Sequence, residues 1–197
     1  MRELKSIEEK ILDSALYLIG KQGTCNVPIR AIAKEAGVNV SAINYYFRTK
    51  EEMLRHTKEF FIENSVAIYS ILDKEEYDEE ERLVLFANEI MEYTIHYSGL
   101  GAMFREAEKL KEEDEISQTI IEVTKELHMK MDKILAHVAG SDPIVEKYNS
   151  IIFMAALIYP ADKEDLYHND PAFIHEKEKR LEYIQHVIDL IKNKKDN

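Results

Sequence analysis

An all-α fold is predicted: a small N-terminal head of three helices containing a helix-turn-helix, followed by a larger helical body. Three observations predict it. Apolar residues recur at three- and four-residue spacing in one segment after another, the period of a helix face. Only six glycines and four prolines punctuate 197 residues, which favours long helices over many turns. Residues 26–50, NVPIRAIAKEAGVNVSAINYYFRTK, read as two short helices joined by a single glycine turn. A hydrophobic content of 45% supports a real core and is too high for a disordered chain.

The first helix is predicted over 4–22. Leu4, Ile7, Ile11, Ala15, Leu18 and Ile19 form its apolar face, widened by Leu12 and Leu16. Gly20 weakens its last turn and Gly23 ends it. Lys5 and Lys10 are candidate phosphate contacts beside the plainer role of solvated charges. Pro28 opens the second helix, 28–36, because its missing N–H is harmless in a first turn. Ile29, Ile32, Ala33 and Ala36 share one face of it. Gly37 then allows a left-handed turn. Asn39 caps the third helix, 39–46, whose buried stripe is read as Val40, Ile43 and Phe47. Thr49 caps a fourth helix reaching about Leu72, in whose first turn Glu51 and Glu52 suit the helix dipole. Its pattern continues through Phe60, Phe61, Asn64 and Ile68, so it links head and body mechanically.

In the body, the charged run 74–81, KEEYDEEE, is a loop and a helix start. Leu83 to His96 form a helix with Leu83, Phe86, Ala87, Ile90, Met91, Thr94 and Ile95 inward. HYSGLGAMF breaks the pattern, and Gly101 is expected to let another backbone come close. Ile116 to Val138 make a long helix that Gly140 stops. Ser141 or Asp142 caps the next, Pro143 starts it, and it is expected to end near Ile158 because Pro160 breaks it. Within it, IIFMAALIY (151–159) is apolar around nearly the whole circumference, which predicts burial on two sides, its own body and a partner subunit. A loop, ADKEDLYHND, leads to the last helix, from about Ala172 to Lys192. Two such terminal helices from each of two subunits make a four-helix homodimer interface. Its candidate residues are Ile144, Tyr148, Ile151, Ile152, Ala155, Tyr159, Leu181, Ile184, Ile188 and Ile191.

The formal net charge of −12, taken whole, argues against a nucleic-acid partner, but its distribution does not. Residues 1–58 hold ten Lys/Arg against seven Asp/Glu, a balance of +3. Residues 59–197 hold sixteen against thirty-one, a balance of −15. Phosphate attraction is local, so a mildly basic head on an acidic body suits DNA binding. The single Cys25 excludes an intrachain disulfide and reads as a small loop or core residue rather than a redox sensor. No apolar run is long enough for a membrane span and no signal-peptide pattern opens the chain, so a cytoplasmic location is expected.

The IAKEAGV run (32–38), the INYYF run (43–47), the Lys50-Glu51 pair and Leu54 together resemble the TetR family of transcriptional regulators. The resemblance is close over the N-terminal quarter. It is nearest to a subgroup with an INYHF-like recognition helix, although many members carry tyrosine at the Asn44 position. Val27 and Pro28 stand where many members have Thr or Ser. The resemblance implies a homodimer with a DNA-binding domain (1–50, with a linking helix at about 50–72). It implies a ligand-binding and dimerisation domain over 51–197. It also implies a ligand-responsive regulator, most often a repressor released from a palindromic operator by its effector. By resemblance, Asn44 and Tyr45 fall on the DNA-facing end of the recognition helix, and Lys50 on the phosphate-contacting start of the fourth helix.

The residues support that assignment independently. Val40, Ser41, Ala42, Asn44 and Tyr45 are the candidate base-facing side chains. An asparagine matches an adenine edge, and Val40 or Ala42 matches a thymine methyl group. Lys50, Arg30 and Arg48 are candidate phosphate contacts that set register rather than sequence. For the effector, stripe positions and the implied family layout give Phe86, Ile90, Tyr93, Thr94, Tyr97, Met103, Phe104, Val123, Leu127, Met131 and Phe153. Such walls suit a small hydrophobic or aromatic ligand, although each residue alone also reads as ordinary core. His96 and His128 are the nearest polar groups. His128 with Asp132, and His168, Asp170 and His175, make no compact metal motif, so no metal or other cofactor is expected. No phosphate loop or nucleophile elbow points to an enzyme. The alternatives are a ligand-dependent activator and a dimeric helical protein-interaction module without DNA binding.

Overall fold

The computed structural model describes residues 6–140, 142–162 and 172–192; every regular element among them is helical. In order, these are α1 (Ile7–Gln22), α2 (Ile29–Glu35), α3 (Val40–Phe47), α4 (Lys50–Tyr69), a 3₁₀ turn (Ser70–Asp73), α5 (Glu79–His96), α6 (Gly101–Leu110), α7 (Glu115–Ala139), α8 (Pro143–Asp162), α9 (Ala172–His175) and α10 (Lys177–Lys192). The all-α architecture, with a helix-turn-helix ahead of a larger helical bundle, is as predicted. The chain forms two compact units, Met1–Val66 with His96–Lys125, and Ala67–Ile95 with Glu126–Asn197.

The first unit is built on α1, which packs on α2 and on α6. Ser6 Oγ accepts the Glu9 N–H at 3.1 Å and so fixes where α1 begins, later than the predicted start at Leu4. Leu4 and Lys5 lie outside the described residues. Gly23, at φ +67°, closes the helix in the left-handed region. Gly37 turns the chain between α2 and α3 at φ +65°. Asn39 Oδ1 then caps α3 by accepting the Ala42 N–H at 2.7 Å. Ile11, Leu16 and Ile19 of α1, Ile32 and Ala33 of α2, and Ile43 and Phe47 of α3 are all buried. Val40 is not part of that stripe; it is the first residue of α3 and is exposed. Thr49 Oγ1 caps α4 through the Glu52 N–H at 3.0 Å.

Two contacts in this unit were not foreseen. A Cβ on Gly20 would lie 2.3 Å from the Ser98 carbonyl oxygen, and one on Gly99 would lie 2.3 Å from the Gly20 carbonyl oxygen. The close backbone approach expected at Gly101 is therefore made by Gly20 and Gly99, while Gly101 faces the Arg105 side chain. Lys58 is buried, and its ammonium donates to Asp114 Oδ2 at 2.5 Å and to Ser117 Oγ at 2.8 Å. Burial pulls the Asp114 carboxyl upward, but the bonds from Lys58 and Ser117 outweigh it and hold the group below the ordinary aspartate value.

The second unit has one apolar core, in which Leu83, Phe86 and Met91 of α5 meet Met131 and Leu135 of α7, Phe153 and Leu157 of α8, and Ile184 and Ile188 of α10. A reciprocal capping box starts α5: the Asp78 N–H donates to Glu81 Oε2 at 3.0 Å and the Glu81 N–H to Asp78 Oδ1 at 2.9 Å. The helix thus begins at Glu79, inside the charged run expected to hold a loop and a helix start. The buried Arg180 guanidinium ties α10 to α5 and to the end of α9. It donates to Asn88 Oδ1 at 3.0 Å, to the Ile174 carbonyl at 2.7 Å and to Glu92.

Helix α8 departs from expectation at Pro160, which lies inside the helix and does not end it. Proline cannot donate to the carbonyl four residues back, here Ala156. The Tyr183 hydroxyl of α10 donates to that carbonyl at 2.7 Å, so the group that Pro160 leaves without a helical partner is satisfied from a neighbouring helix. Opposite the core, α8 presents Ile144, Tyr148, Ile151, Ile152, Ala155 and Tyr159 to the outside. On α10 the expected set is corrected. Ile184, Ile188 and Ile191 belong to the core of the second unit, Leu181 is half-buried, and Leu190 is exposed. An amphipathic helix this short has one broad apolar face, and the α5, α7 and α8 core takes it.

Candidate nucleic-acid interface

The interface is built on what α3 leaves outside. Ile43 and Phe47 anchor the helix in the head's core, one turn apart. The remaining circumference carries Val40, Ser41, Asn44, Tyr45 and Tyr46 as exposed side chains, with Ala42 half-buried. Tyr45 is 81% exposed and meets Tyr46 edge to face at 5.2 Å between ring centroids. An 81% exposed tyrosine gains little from its own chain, and its ring and hydroxyl are open to a partner. Tyr46 extends this aromatic edge and was absent from the predicted set. Its signal is only its neighbour's identity, since i and i+1 do not share a face.

The cations are placed unequally. Lys50 opens α4, and its ammonium donates to Asn26 Oδ1 at 2.6 Å, which holds the side chain across the loop that precedes α2. The α4 N-terminus beside it has N–H groups with no partner inside the helix, the usual setting for an anion. Arg48 and Arg30 are exposed, at the C-terminal cap of α3 and in the first turn of α2. Arg48 has φ +56° and ψ −51°, and it is the only described non-glycine residue at positive φ. The Thr49 N–H donates to the Phe47 carbonyl across it, closing a three-residue turn. Lys10 of α1 reaches the Gly37 turn, with its ammonium 3.8 Å from where a Gly37 Cβ would stand.

The effector candidates divide between the two units. Phe86, Ile90, Met131 and Phe153 are buried together in the core of the second, with Tyr93 and Leu127 packed against them. Thr94, in the same unit, donates its hydroxyl to the Ile90 carbonyl at 2.9 Å. Tyr97, Met103, Phe104 and Val123 belong to the first unit. There Phe104 meets Phe61 edge to face at 5.4 Å, and the buried Tyr97 donates its hydroxyl to Asp13 of α1. His96 Nε2 stands 3.8 Å from Asp13 Oδ1, while the ring of His128 lies 6.0 Å from that of Tyr69. Asp132, four residues from His128, accepts the Ser150 hydroxyl at 2.6 Å. His168 and Asp170 lie outside the described residues. Cys25 is buried; burial first, and Glu106 after it, push its thiol up to about 11. It is therefore almost wholly protonated at neutral pH, which suits a core residue.

A three-helix head with an exposed aromatic edge on its third helix defines a helix-turn-helix protein. Residues 11–57 match the family model described as bacterial regulatory proteins, tetR family. The chain is 40% identical over 58 residues to the protein of Bacillus subtilis (strain 168) named Probable HTH-type transcriptional regulator YttP, a match covering 29% of this chain and 28% of that protein. The chain thus matches little more than a quarter of that relative's length. The fold extends further. A TetR-family transcriptional regulator from Bordetella parapertussis superposes with a TM-score of 0.69 at 13% identity, covering 96% of each chain. A TetR transcriptional regulator from Legionella pneumophila does so with a TM-score of 0.64 at 21% identity, covering 96% of this chain and 98% of that one. Residues 11–57 are thus similar to the TetR helix-turn-helix, and the chain is similar in fold to those regulators over 96% of its length. No helix among the described residues is long and apolar enough to cross a membrane.

Proposed function

We propose that this chain is a DNA-binding transcriptional regulator of the TetR family, in the subgroup with an INYHF-like recognition helix. It acts as a homodimer on a palindromic operator and is released by a small hydrophobic or aromatic effector. The observation that carries the reading is the exposed Asn44–Tyr45 edge of α3, mounted on the buried Ile32, Ile43 and Phe47. In this reading Val40, Ser41, Ala42, Asn44 and Tyr45 face the major groove. Lys50, Arg48 and Arg30 hold the phosphates. The apolar side of α8, from Ile144 to Tyr159, packs on a second copy. The effector enters among the aromatic and methionine side chains of the body, where Phe86, Met131 and Phe153 are candidates to repack around it. Repression is the default because an operator-bound dimer covers the DNA that polymerase needs; effector binding then favours a state with lower DNA affinity.

The test is fluorescence anisotropy with labelled duplexes from the DNA flanking the chain's own gene, at low and then rising salt. Specific retention is expected, and Lys50→Ala should weaken binding to every duplex and lower the salt slope by about one. No retention of any fragment at low salt would leave the interaction-module alternative standing.

A further inference from the structure

Helix α3 presents no side chain that reads guanine by a bidentate bond. Guanine in the major groove is read chiefly by Arg or Lys, bidentate to O6 and N7. Helix α3, VSAINYYF, contains neither residue. Its exposed side chains are a branched aliphatic, a hydroxyl, one carboxamide and two phenols. The cations nearby are not on the helix: Lys10 belongs to α1 and reaches the Gly37 turn ahead of α3. Arg48 lies beyond its C-terminal end, whereas base edges are met chiefly from the N-terminal part of a recognition helix. Lys50 also lies beyond that end, at the start of α4, with its ammonium bonded to Asn26 Oδ1 at 2.6 Å. The groups that remain match another pair of bases. A carboxamide such as that of Asn44 accepts from adenine N6 and donates to N7, and the Val40 and Ala42 methyl groups suit the thymine C5 methyl.

We infer that the segment of each operator half-site lying under α3 consists of A·T pairs, read through adenine N6/N7 by Asn44 and through thymine methyl groups by Val40 and Ala42. The inference rests on the DNA-binding reading above and adds the chemistry of the partner. Ser41 and Tyr45 do not oppose it. A hydroxyl bonds to either purine, and an exposed phenol donates to phosphate while its ring packs the sugar.

The experiment first selects a half-site from a randomised duplex pool with the full-length protein and then alters single atoms of the selected bases. Replacing thymine by uracil removes only the methyl group, and replacing adenine by 7-deazaadenine removes only the N7 acceptor. Each replacement under α3 should weaken binding about tenfold. The same 7-deaza change at guanines should leave affinity within about twofold. Asn44→Ala should abolish the penalty for 7-deazaadenine at one position while keeping the uracil penalty. Asn44→Arg should shift the selected base there toward guanine. A consensus rich in guanine under α3, or 7-deazaguanine penalties as large as those for adenine, overturns the inference. So does an Asn44→Ala protein with every base preference intact. Failure to bind any duplex at low salt instead removes the DNA-binding reading itself, so the two failures are distinct.

Discussion

Arg48 sits where the head is least relaxed. Its φ of +56° with ψ of −51° places a side-chain-bearing residue at the centre of a γ-turn, closed by the Thr49 N–H and the Phe47 carbonyl. That turn is rare and strained for any residue with a Cβ. Glycine has no such penalty, so Arg48→Gly is expected to raise stability by about 1 kcal/mol in urea denaturation. The same change should weaken DNA binding if Arg48 holds a phosphate. A lower urea midpoint for the glycine variant would contradict the strain argument. Local rules made much of this scale readable beforehand. The Asn39 and Thr49 caps and the Gly37 turn each follow from a residue and its next three neighbours. The burial of Lys58 was not readable, because its partners Asp114 and Ser117 lie more than fifty residues away and a lysine on a helix normally points to water. The Lys50–Asn26 bond was hidden for the same reason, its partners being 24 residues apart, and no local pattern marked Arg48 for a positive φ.

At the scale of elements, the period of apolar residues located most helices to within a turn or so, since a 3.6-residue pattern is intrinsic to each segment. The exceptions are where one helix completes another. Pro160 reads as a terminator in isolation, but the Tyr183 hydroxyl takes the Ala156 carbonyl and α8 continues to Asp162. Tyr183→Phe should therefore cost about 1 kcal/mol, with the loss of helicity confined to the last turn of α8. Amide hydrogen exchange would show this, and unchanged protection there would contradict it. The α4–α7 tie through Lys58 and Asp114 has a pH signature. The folded aspartate lies below its unfolded value of about 3.9, so its contribution is full above that value and is lost as pH falls through the folded pKa. The stability gap between the native protein and Asp114→Asn should thus be constant from neutral to mildly acidic pH and close below about pH 3 to 4. A gap independent of pH down to about pH 2 would show that the charge is not what binds Lys58.

Across the whole molecule, the distribution of charge and of exposed apolar surface divides the labour. The head carries the excess of cations and the rest of the chain the excess of acids. The outer side of α8 exposes Ile144 at 61% and Ile151 at 69%, an apolar strip that water does not favour. Placing a carboxylate in it with Ile151→Glu should convert a dimer at micromolar concentration to monomer in light scattering, with the thermal midpoint becoming independent of protein concentration. A native protein that is already monomeric would remove this assignment. The sequence pattern marked α8 as apolar all round, and its outer side is exposed. On α10 the pattern did not separate Ile184, Ile188 and Ile191, which lie in the core of the second unit, from the exposed Leu190.

The glycine pair in the first unit sets how stiffly its parts are coupled. Where Gly20 of α1 meets Ser98 and Gly99, main chain rests on main chain, with no side chain between them to change rotamer and absorb a shift. A shift of the 98–99 segment against α1 has no side chain to absorb it, so it either carries the end of α1 along or opens a gap between the two backbones. Helix α2 packs on α1 and α3 packs on α2, so this joint connects the 98–99 segment to the helices that, on the proposed reading, meet DNA.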